Sequence, residues 1–104
     1  MTPYEDDLDG AVVTKKKKKV TKPPRFKVLM HNDHYTTMEF VVHILEAVFH
    51  HPPARATQIM LEVHNKGHGV AGTFSKEVAE TKVSRAAASA RRNGFPLRCT
   101  IEED

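Results

Sequence analysis

The chain has 104 residues, 39% of them hydrophobic, with a single cysteine and a formal net charge of +3. This length allows one domain with a modest core, and the hydrophobic fraction indicates a globular fold rather than a disordered chain. No run reaches the roughly 20 apolar residues that span a bilayer, and the acidic first residues lack the apolar stretch of a secretory signal. Cys99 alone cannot form an internal disulfide. We therefore expect a protein of the reducing cytoplasm.

Residues 1–24 have the composition of a disordered N-terminal arm that precedes a core domain at 25–104. The arm holds six lysines, five of them in the run Lys15–Lys19, against four acidic residues. The core holds ten basic and nine acidic residues, so it is nearly neutral and the basic excess lies mostly in the arm. A solvated tail is the expected nature of the lysine run, and a phosphate-binding arm is the alternative.

Hydrophobic periodicity predicts six elements in the order β-α-α-β-α-β. Alternating apolar residues favour strands, and apolar residues that recur every three or four positions favour helices. The predicted strands are 25–31, 69–74 and 95–102, and the predicted helices are 37–50, about 53–65, and a third that follows Ser75 and runs to Asn93-Gly94. This order is typical of an α+β sandwich, in which three helices pack on one side of a three-stranded antiparallel sheet.

Capping signals predict where the helices begin and end. Thr36 stands three residues before Glu39, a capping-box spacing that predicts the start of the first helix. The Pro-Pro pair at 52–53 ends that helix and opens the second, which closes at Gly67. Ser75 is placed to cap the third helix, whose predicted inner face uses small residues. That face consists of Val78, Ala79, Val83, Ala86, Ala87 and Ala90.

The loop 32–40 carries amide, carboxylate, imidazole and hydroxyl groups between a strand and a helix. Such a turn suits recognition of a small polar group better than covalent chemistry. If the first two helices form an antiparallel hairpin, His64 at the end of the second meets Asn32 and Asp33 at one rim, and the helices enclose an apolar pocket. The side chains between the helices would be Met38, Val41, Met60 and Val63. This site would hold a free ammonium beside a bulky apolar side chain; a buried, hydrogen-bonded His64 is the alternative.

The seven histidines raise the question of a metal site. No His-Glu-x-x-His or Cys-x-x-Cys spacing is present, and interaction with helix-end carbonyls is a sufficient reason for His50 and His51. Hydrolase chemistry is disfavoured because Cys99 lies on the apolar face of a strand, where a thiol is usually inert. Asp33 and His64 lack an accompanying nucleophile or oxyanion hole. We therefore expect neither a metal site nor an enzyme.

The stretch from Asn32 to Val41, Asn-Asp-His-Tyr-Thr-Thr-Met-Glu-Phe-Val, resembles the signature of the ClpS family, which is normally Asn-Asp-Asp-Tyr-Thr-Pro-Met-Glu-Phe-Val. Three further stretches match that family in order, at 56–64, 77–83 and 96–100. ClpS proteins are non-enzymatic adaptors. They bind N-degron proteins, which begin with Leu, Phe, Tyr or Trp, and deliver them to a Clp AAA+ unfoldase–protease, usually ClpAP.

The resemblance implies a role for each matching position at the peptide site. The α-amino group would be recognised by Asn32, Asp33 and His64. Thr36 would hold the peptide backbone, and Met38 would act as a gate that disfavours β-branched first residues. The hydrophobic pocket would consist of Met30, Met38, Val41, Met60, Val63 and Leu97. An acceptor role requires a neutral His64, so the affinity should fall when imidazoles take up a proton.

The resemblance also implies partners. Glu77 and Lys82 match positions that dock on the N-terminal domain of a ClpA-type unfoldase, and in that family the unfoldase engages the flexible arm during delivery. We expect a monomer without a cofactor, and no membrane or nucleic-acid partner.

Two positions depart from the family signature. His34 replaces an acidic residue next to the ammonium site, which predicts weaker and more pH-sensitive attraction. Thr37 replaces a proline in the first turn of a helix, which predicts a more mobile loop. The competing hypothesis is a small basic nucleic-acid- or ribosome-associated protein that uses Lys15–Lys19 and loses affinity steeply with salt.

Overall fold

The computed structural model describes residues 22–104, which form three strands and three helices in the predicted order. The strands are β1 (Phe26–His31), β2 (His68–Phe74) and β3 (Arg98–Glu103). The helices are α1 (Met38–Ala47), α2 (Pro53–Lys66) and α3 (Lys76–Arg92). The Lys15–Lys19 run and most of the predicted arm lie outside the described residues, so the arm stays a prediction.

The sheet is antiparallel, with β1 in the centre and the strand order β2-β1-β3. Alternation along β1 turns Val28 and Met30 towards the helices, and both side chains are fully buried. The pairing of β1 with β2 shifts between Val28 and Leu29, so that Ala71 has no partner opposite it. This bulge bends the edge strand locally. The α+β fold expected from the sequence is confirmed.

One hydrophobic core lies between the sheet and the helices. Each helix contributes an apolar stripe, as the 3.6-residue periodicity requires. The largest fully buried side chains are Met30, Ile44, Leu45, Ile59, Val28 and Val63. No helix within residues 22–104 has the length and apolar character needed to cross a membrane.

The start of α1 differs from the prediction by one residue. Thr37, not Thr36, is the N-cap, and its hydroxyl accepts a hydrogen bond from the Phe40 N–H at 3.1 Å. Thr36 instead directs its hydroxyl backwards to Asp33. The capping-box prediction was therefore wrong, because two adjacent threonines offer two possible caps and the carboxylate of Asp33 binds the first of them.

The end of α1 is an αL C-cap built without glycine. His50 has φ +61°, the left-handed conformation, and its N–H donates to the Glu46 carbonyl. The His51 N–H donates to the Leu45 carbonyl, so the chain turns back over the last turn of the helix. The His51 ring hydrogen-bonds to the carbonyl of Ala71 in the bulge of β2. The prediction that His51 serves a helix end was wrong for its ring, which ties the α1–α2 connection to the sheet.

The ends of α2 and α3 follow their sequence signals. Gly67 has φ +90° and closes α2, Ser75 caps α3 by accepting from the Val78 N–H, and Gly94 has φ +76° after α3. The Phe95 N–H donates back to the Ala90 carbonyl, so residue 95 still belongs to the helix end, and β3 begins at 98 rather than at 95.

The inner face of α3 is close to the prediction but includes one wrong residue. Ala79, Ala86 and Ala90 are buried, whereas Val78 is 44% exposed. Val78 lies one position beside the stripe that continues through the buried alanines, so its side chain points away from the sheet. The buried alanines hold α3 against the sheet, and Val78 belongs to the exposed side of the helix.

Candidate functional site

A cavity of about 340 Å³ opens between the loop that follows β1 and the two helices of the α1–α2 hairpin. This volume lies at the lower end of the range for small-ligand sites, about 300–1,000 Å³. The lining residues are Asn32, Asp33, His34, Thr36, Thr37, Met38, Val41, Met60, Val63 and His64. Polar groups form one side and apolar side chains the other, so the cavity suits a ligand with a polar end and an apolar body.

The carboxylate of Asp33 organises the loop. Its Oδ1 accepts from the N–H groups of Tyr35 and Thr36 at 2.8 and 2.7 Å, and its Oδ2 accepts from the Thr36 hydroxyl at 2.7 Å. Burial raises the pKa of Asp33, but these hydrogen bonds and the nearby His34 outweigh it and lower the pKa below its ordinary value. A carboxylate has about four acceptor positions, so one remains on Oδ2 for a ligand.

One backbone hydrogen bond joins the two sides of the rim. The Asn32 N–H donates to the Gly67 carbonyl at 2.9 Å, just beyond the last turn of α2. His64 lies in that last turn and its side chain is exposed. The bond therefore fixes the loop beside the end of α2, where Asn32 and His64 line the same cavity.

The apolar wall comes from both helices. Val41, Met60 and Val63 are buried to 7, 9 and 2% exposure, whereas Met38 is 44% exposed and lies at the edge of the cavity. Met38 and Met60 also line a second groove beside the first. A Cβ added at Gly69 of β2 would lie 3.0 Å from the Cγ2 of Val63, so glycine there lets β2 pack closely behind the wall.

The structure brings together most of the side chains that the sequence assigned to a peptide site. Two assigned pocket residues, Met30 and Leu97, are buried in the core and do not line the cavity. Sequence reasoning singled out His34 and Thr37 as departures from the family signature but did not assign them to the site, and both line the cavity. Their position between the assigned residues Asp33 and Met38 was the available signal, because a short loop over a cavity brings successive side chains to one rim.

A second surface lies on the exposed side of α3, at its N-terminal half. A shallow groove of about 270 Å³ is lined by Glu77, Val78, Thr81, Lys82 and Arg85. The Nζ of Lys82 donates to the Val48 carbonyl at 2.7 Å and lies 5.8 Å from the centre of the Phe74 ring. Lys82 therefore has a structural partner at the end of α1, besides the docking role expected from the sequence.

Neither a metal site nor a reactive thiol is evident within residues 22–104. No group of three or more possible metal ligands occurs there. His31 and His68 face each other across the sheet with ring centres 6.4 Å apart, and His31 Nε2 lies 2.7 Å from the Thr100 hydroxyl. Burial raises the pKa of the Cys99 thiol to about 11, so the thiolate is scarce at neutral pH.

Three comparisons place these observations among known proteins. The family model described as ATP-dependent Clp protease adaptor protein ClpS matches residues 21–100. A ClpS adapter protein of Nitratidesulfovibrio vulgaris is 61% identical over 84 residues, which cover 81% of this chain and 84% of the relative. One of Desulfatibacillum aliphaticivorans is 51% identical over 102 residues, which cover 98% and 96%.

Among solved structures, Agrobacterium tumefaciens ClpS2 bound to L-phenylalaninamide is similar, with a TM-score of 0.77 and 35% identity. The match covers 80% of this chain and all of that one. L-Phenylalaninamide has a free α-amino group and an apolar ring.

Proposed function

This chain belongs to the ClpS family of Clp protease adaptor proteins, and we propose that it binds the free N-terminal residue of its substrates in the cavity between the 32–37 loop and the α1–α2 hairpin. The observation that carries this proposal is the pairing of Asn32, Asp33 and His64 on one side of the cavity with a buried apolar wall on the other. The bound residue would be Leu, Phe, Tyr or Trp.

The polar side suits an ammonium group. An α-ammonium has three N–H donors and no acceptor. The remaining acceptor position of Asp33, the side-chain carbonyl of Asn32 and one ring nitrogen of a neutral His64 would supply three acceptors. Thr36 has its hydroxyl hydrogen committed to Asp33 and keeps its oxygen as an acceptor for a backbone N–H of the peptide.

The apolar side suits a large flexible side chain. Val41, Met60 and Val63 form a wall that is already buried, so binding removes mainly the ligand's own apolar surface from water. Met38 is the only exposed member of this wall, and we infer that it acts as the gate. A β-branched first residue carries its second branch at Cβ, close to the ammonium, where Met38 would leave less room.

The partner that receives the substrate would be the N-terminal domain of a ClpA-type AAA+ unfoldase. Glu77 and Lys82 lie in the groove on α3, together with Val78, Thr81 and Arg85, and carry both signs of charge beside an exposed apolar residue. The peptide cavity is lined by the 32–37 loop, α1 and α2 instead. One chain could therefore hold a substrate and an unfoldase at the same time.

We infer that the chain has no catalytic activity of its own, since its relatives are named adapter proteins and its one thiol is poorly ionised. A monomeric state and a cytoplasmic location are part of the same proposal. The nucleic-acid alternative rests on Lys15–Lys19 alone and gains no support from the comparisons.

Binding of labelled peptides, followed by fluorescence anisotropy, tests the proposal. Peptides that begin with Phe or Leu should bind, one that begins with Ile should bind at least about tenfold more weakly, and acetyl-Phe should not bind, because acetylation removes the charge and two donors. Met38→Ala should narrow the gap between Leu and Ile. Equal binding of Phe and acetyl-Phe, or of neither, would overturn the adaptor function.

A further inference from the structure

The rim of the cavity carries little net charge. Asp33 is the one lining residue that is formally charged at neutral pH, and three of its acceptor positions are bound to the loop. Two imidazoles, those of His34 and His64, are the other ionisable groups on the lining. A charged substituent on a ligand therefore meets one carboxylate with a single free acceptor position and two groups that can donate hydrogen bonds.

His34 is placed to meet the part of a substrate that leaves the cavity. Its side chain is exposed and lines the cavity next to Asp33, whose carboxylate it influences electrostatically. If the ammonium meets Asn32, Asp33 and His64, the second residue lies about 3.8 Å further along the chain, at the rim. The neighbouring Tyr35 is 77% exposed and does not line the cavity, which leaves His34 as the ring on that side.

We propose that His34 selects the second residue of the substrate, so that Asp or Glu at that position is favoured over Lys or Arg. This inference rests on the proposed function and names its substrate class more closely. An imidazole N–H can donate to a carboxylate, and its protonated form attracts a carboxylate and repels an ammonium. A carboxylate at position 34, as in the family signature, would have the opposite preference.

The test compares three free peptides, Phe-Glu, Phe-Ala and Phe-Lys with identical remaining residues, and acetyl-Phe-Ala. The native chain should bind Phe-Glu about 3- to 10-fold more tightly than Phe-Lys, since a carboxylate can accept a charge-assisted hydrogen bond from the imidazole N–H. His34→Asp should reverse the order. The preference should shrink in about 1 M salt, where exposed charges are screened.

His43→Asp is the matched control. His43 is exposed on α1 and does not line the cavity, so this variant adds the same charge to the chain and should keep the native ranking. His34→Ala removes the ring and its N–H donor without adding charge and should bring the Phe-Glu to Phe-Lys ratio close to one. It carries the test if His34→Asp does not fold.

The outcomes separate this inference from the proposed function. If Phe-Ala binds and acetyl-Phe-Ala does not, but the native chain and the His34 variants rank second residues alike, His34 does not select them and the adaptor function stands. If Phe-Ala binds no better than acetyl-Phe-Ala, the proposed function fails and the inference fails with it.

Discussion

The cavity at the α1–α2 hairpin and the groove on α3 are built in different ways. The cavity combines a loop and two helices, and it depends on the Asn32–Gly67 hydrogen bond and on the three bonds to Asp33. The groove consists of side chains from one helix, spaced three or four residues apart along it.

This difference predicts which substitutions each surface tolerates. A site assembled from several elements holds its polar groups in fixed positions, which suits discrimination among small chemical groups. A surface on one helix needs only that the helix stays packed. Changes to the loop should therefore affect the cavity alone, and the α3 groove should respond mainly to changes of its own side chains.

The largest expected effect is a loss of peptide affinity at the cavity with the unfoldase affinity of the groove unchanged. Asp33→Ala removes three loop hydrogen bonds and one ligand acceptor, and it should weaken Phe-peptide binding by at least about 30-fold, because hydrogen bonds to charged groups contribute about 1.5–3 kcal/mol each. Asp33→Asn keeps one acceptor oxygen, so its affinity for the Phe peptide should lie between those of the native chain and Asp33→Ala. Fluorescence anisotropy measures the affinity for the peptide, and calorimetry measures the affinity for the unfoldase N-terminal domain. A parallel loss of unfoldase affinity would mean that the two surfaces are not independent.

The next effect tests the double role of Lys82. Lys82→Met should lower the free energy of unfolding by about 1–2 kcal/mol, because it leaves the Val48 carbonyl without the ammonium donor, while peptide affinity changes less than about twofold. Glu77→Gln is the control on the same groove, and it should weaken unfoldase binding with little loss of stability. Urea denaturation measures the stability. An unchanged stability in Lys82→Met would show that its bond to α1 contributes nothing.

Acid should separate the two surfaces again. Asp33, whose pKa is lowered below 3.8, stays ionised down to about pH 5.5, so the groups of the cavity on which mild acid acts are the imidazoles. A protonated His64 no longer accepts and repels the ligand ammonium, so peptide affinity should fall several-fold between about pH 7.5 and 5.5. The α3 groove contains no histidine and should not share this change.

The control for this pH profile is His64→Ala, which should bind weakly and lose most of the pH dependence. Burial, Arg98 and His68 lower the pKa of His31 from 6.5, so the unfolded chain binds that proton first and stability falls as the pH drops below 6.5. Binding is therefore measured far below the melting temperature. A flat affinity from pH 8 to 5.5 would contradict His64 as an acceptor.

The smallest effect concerns the entrance to α1. Thr37→Pro removes the hydroxyl that accepts from the Phe40 N–H, which costs about 1 kcal/mol, but φ −71° already suits proline and the unfolded chain loses freedom worth about 0.4–1 kcal/mol. Stability should therefore change by less than about 0.5 kcal/mol, and peptide affinity by less than about twofold. Thermal and urea unfolding measure the change in stability. A loss above about 1.5 kcal/mol would mean that the threonine cap is essential to the loop.

Local signals were reliable where one residue decides a local conformation. Gly67 and Gly94 follow the ends of their helices as predicted, both with positive φ, and Ser75 caps α3 as predicted. Local signals failed where two neighbouring residues compete for one role, since Thr36 and Thr37 can both cap α1 and the choice depends on Asp33. The predicted inner face of α3 failed only at Val78, where one apolar residue stands beside the stripe.

Contacts between distant residues were not predictable in the same way. No spacing in the sequence indicates that Lys82 reaches the Val48 carbonyl or that the His51 ring reaches Ala71. The absence of Met30 and Leu97 from the cavity wall is another such case, because burial on the core face does not say which side chains border a particular void.

The sequence by itself determined the order of elements, the α+β class and the ends of α2 and α3, because periodicity and caps act over a few residues. It also supplied the polar loop, His64 and the resemblance that named the family. Only the tertiary structure decided that His34 lines the cavity and that one acceptor position of Asp33 remains free. The physical reason is that a site is defined by the packing of a loop against two helices, and that packing depends on contacts between residues far apart in the chain.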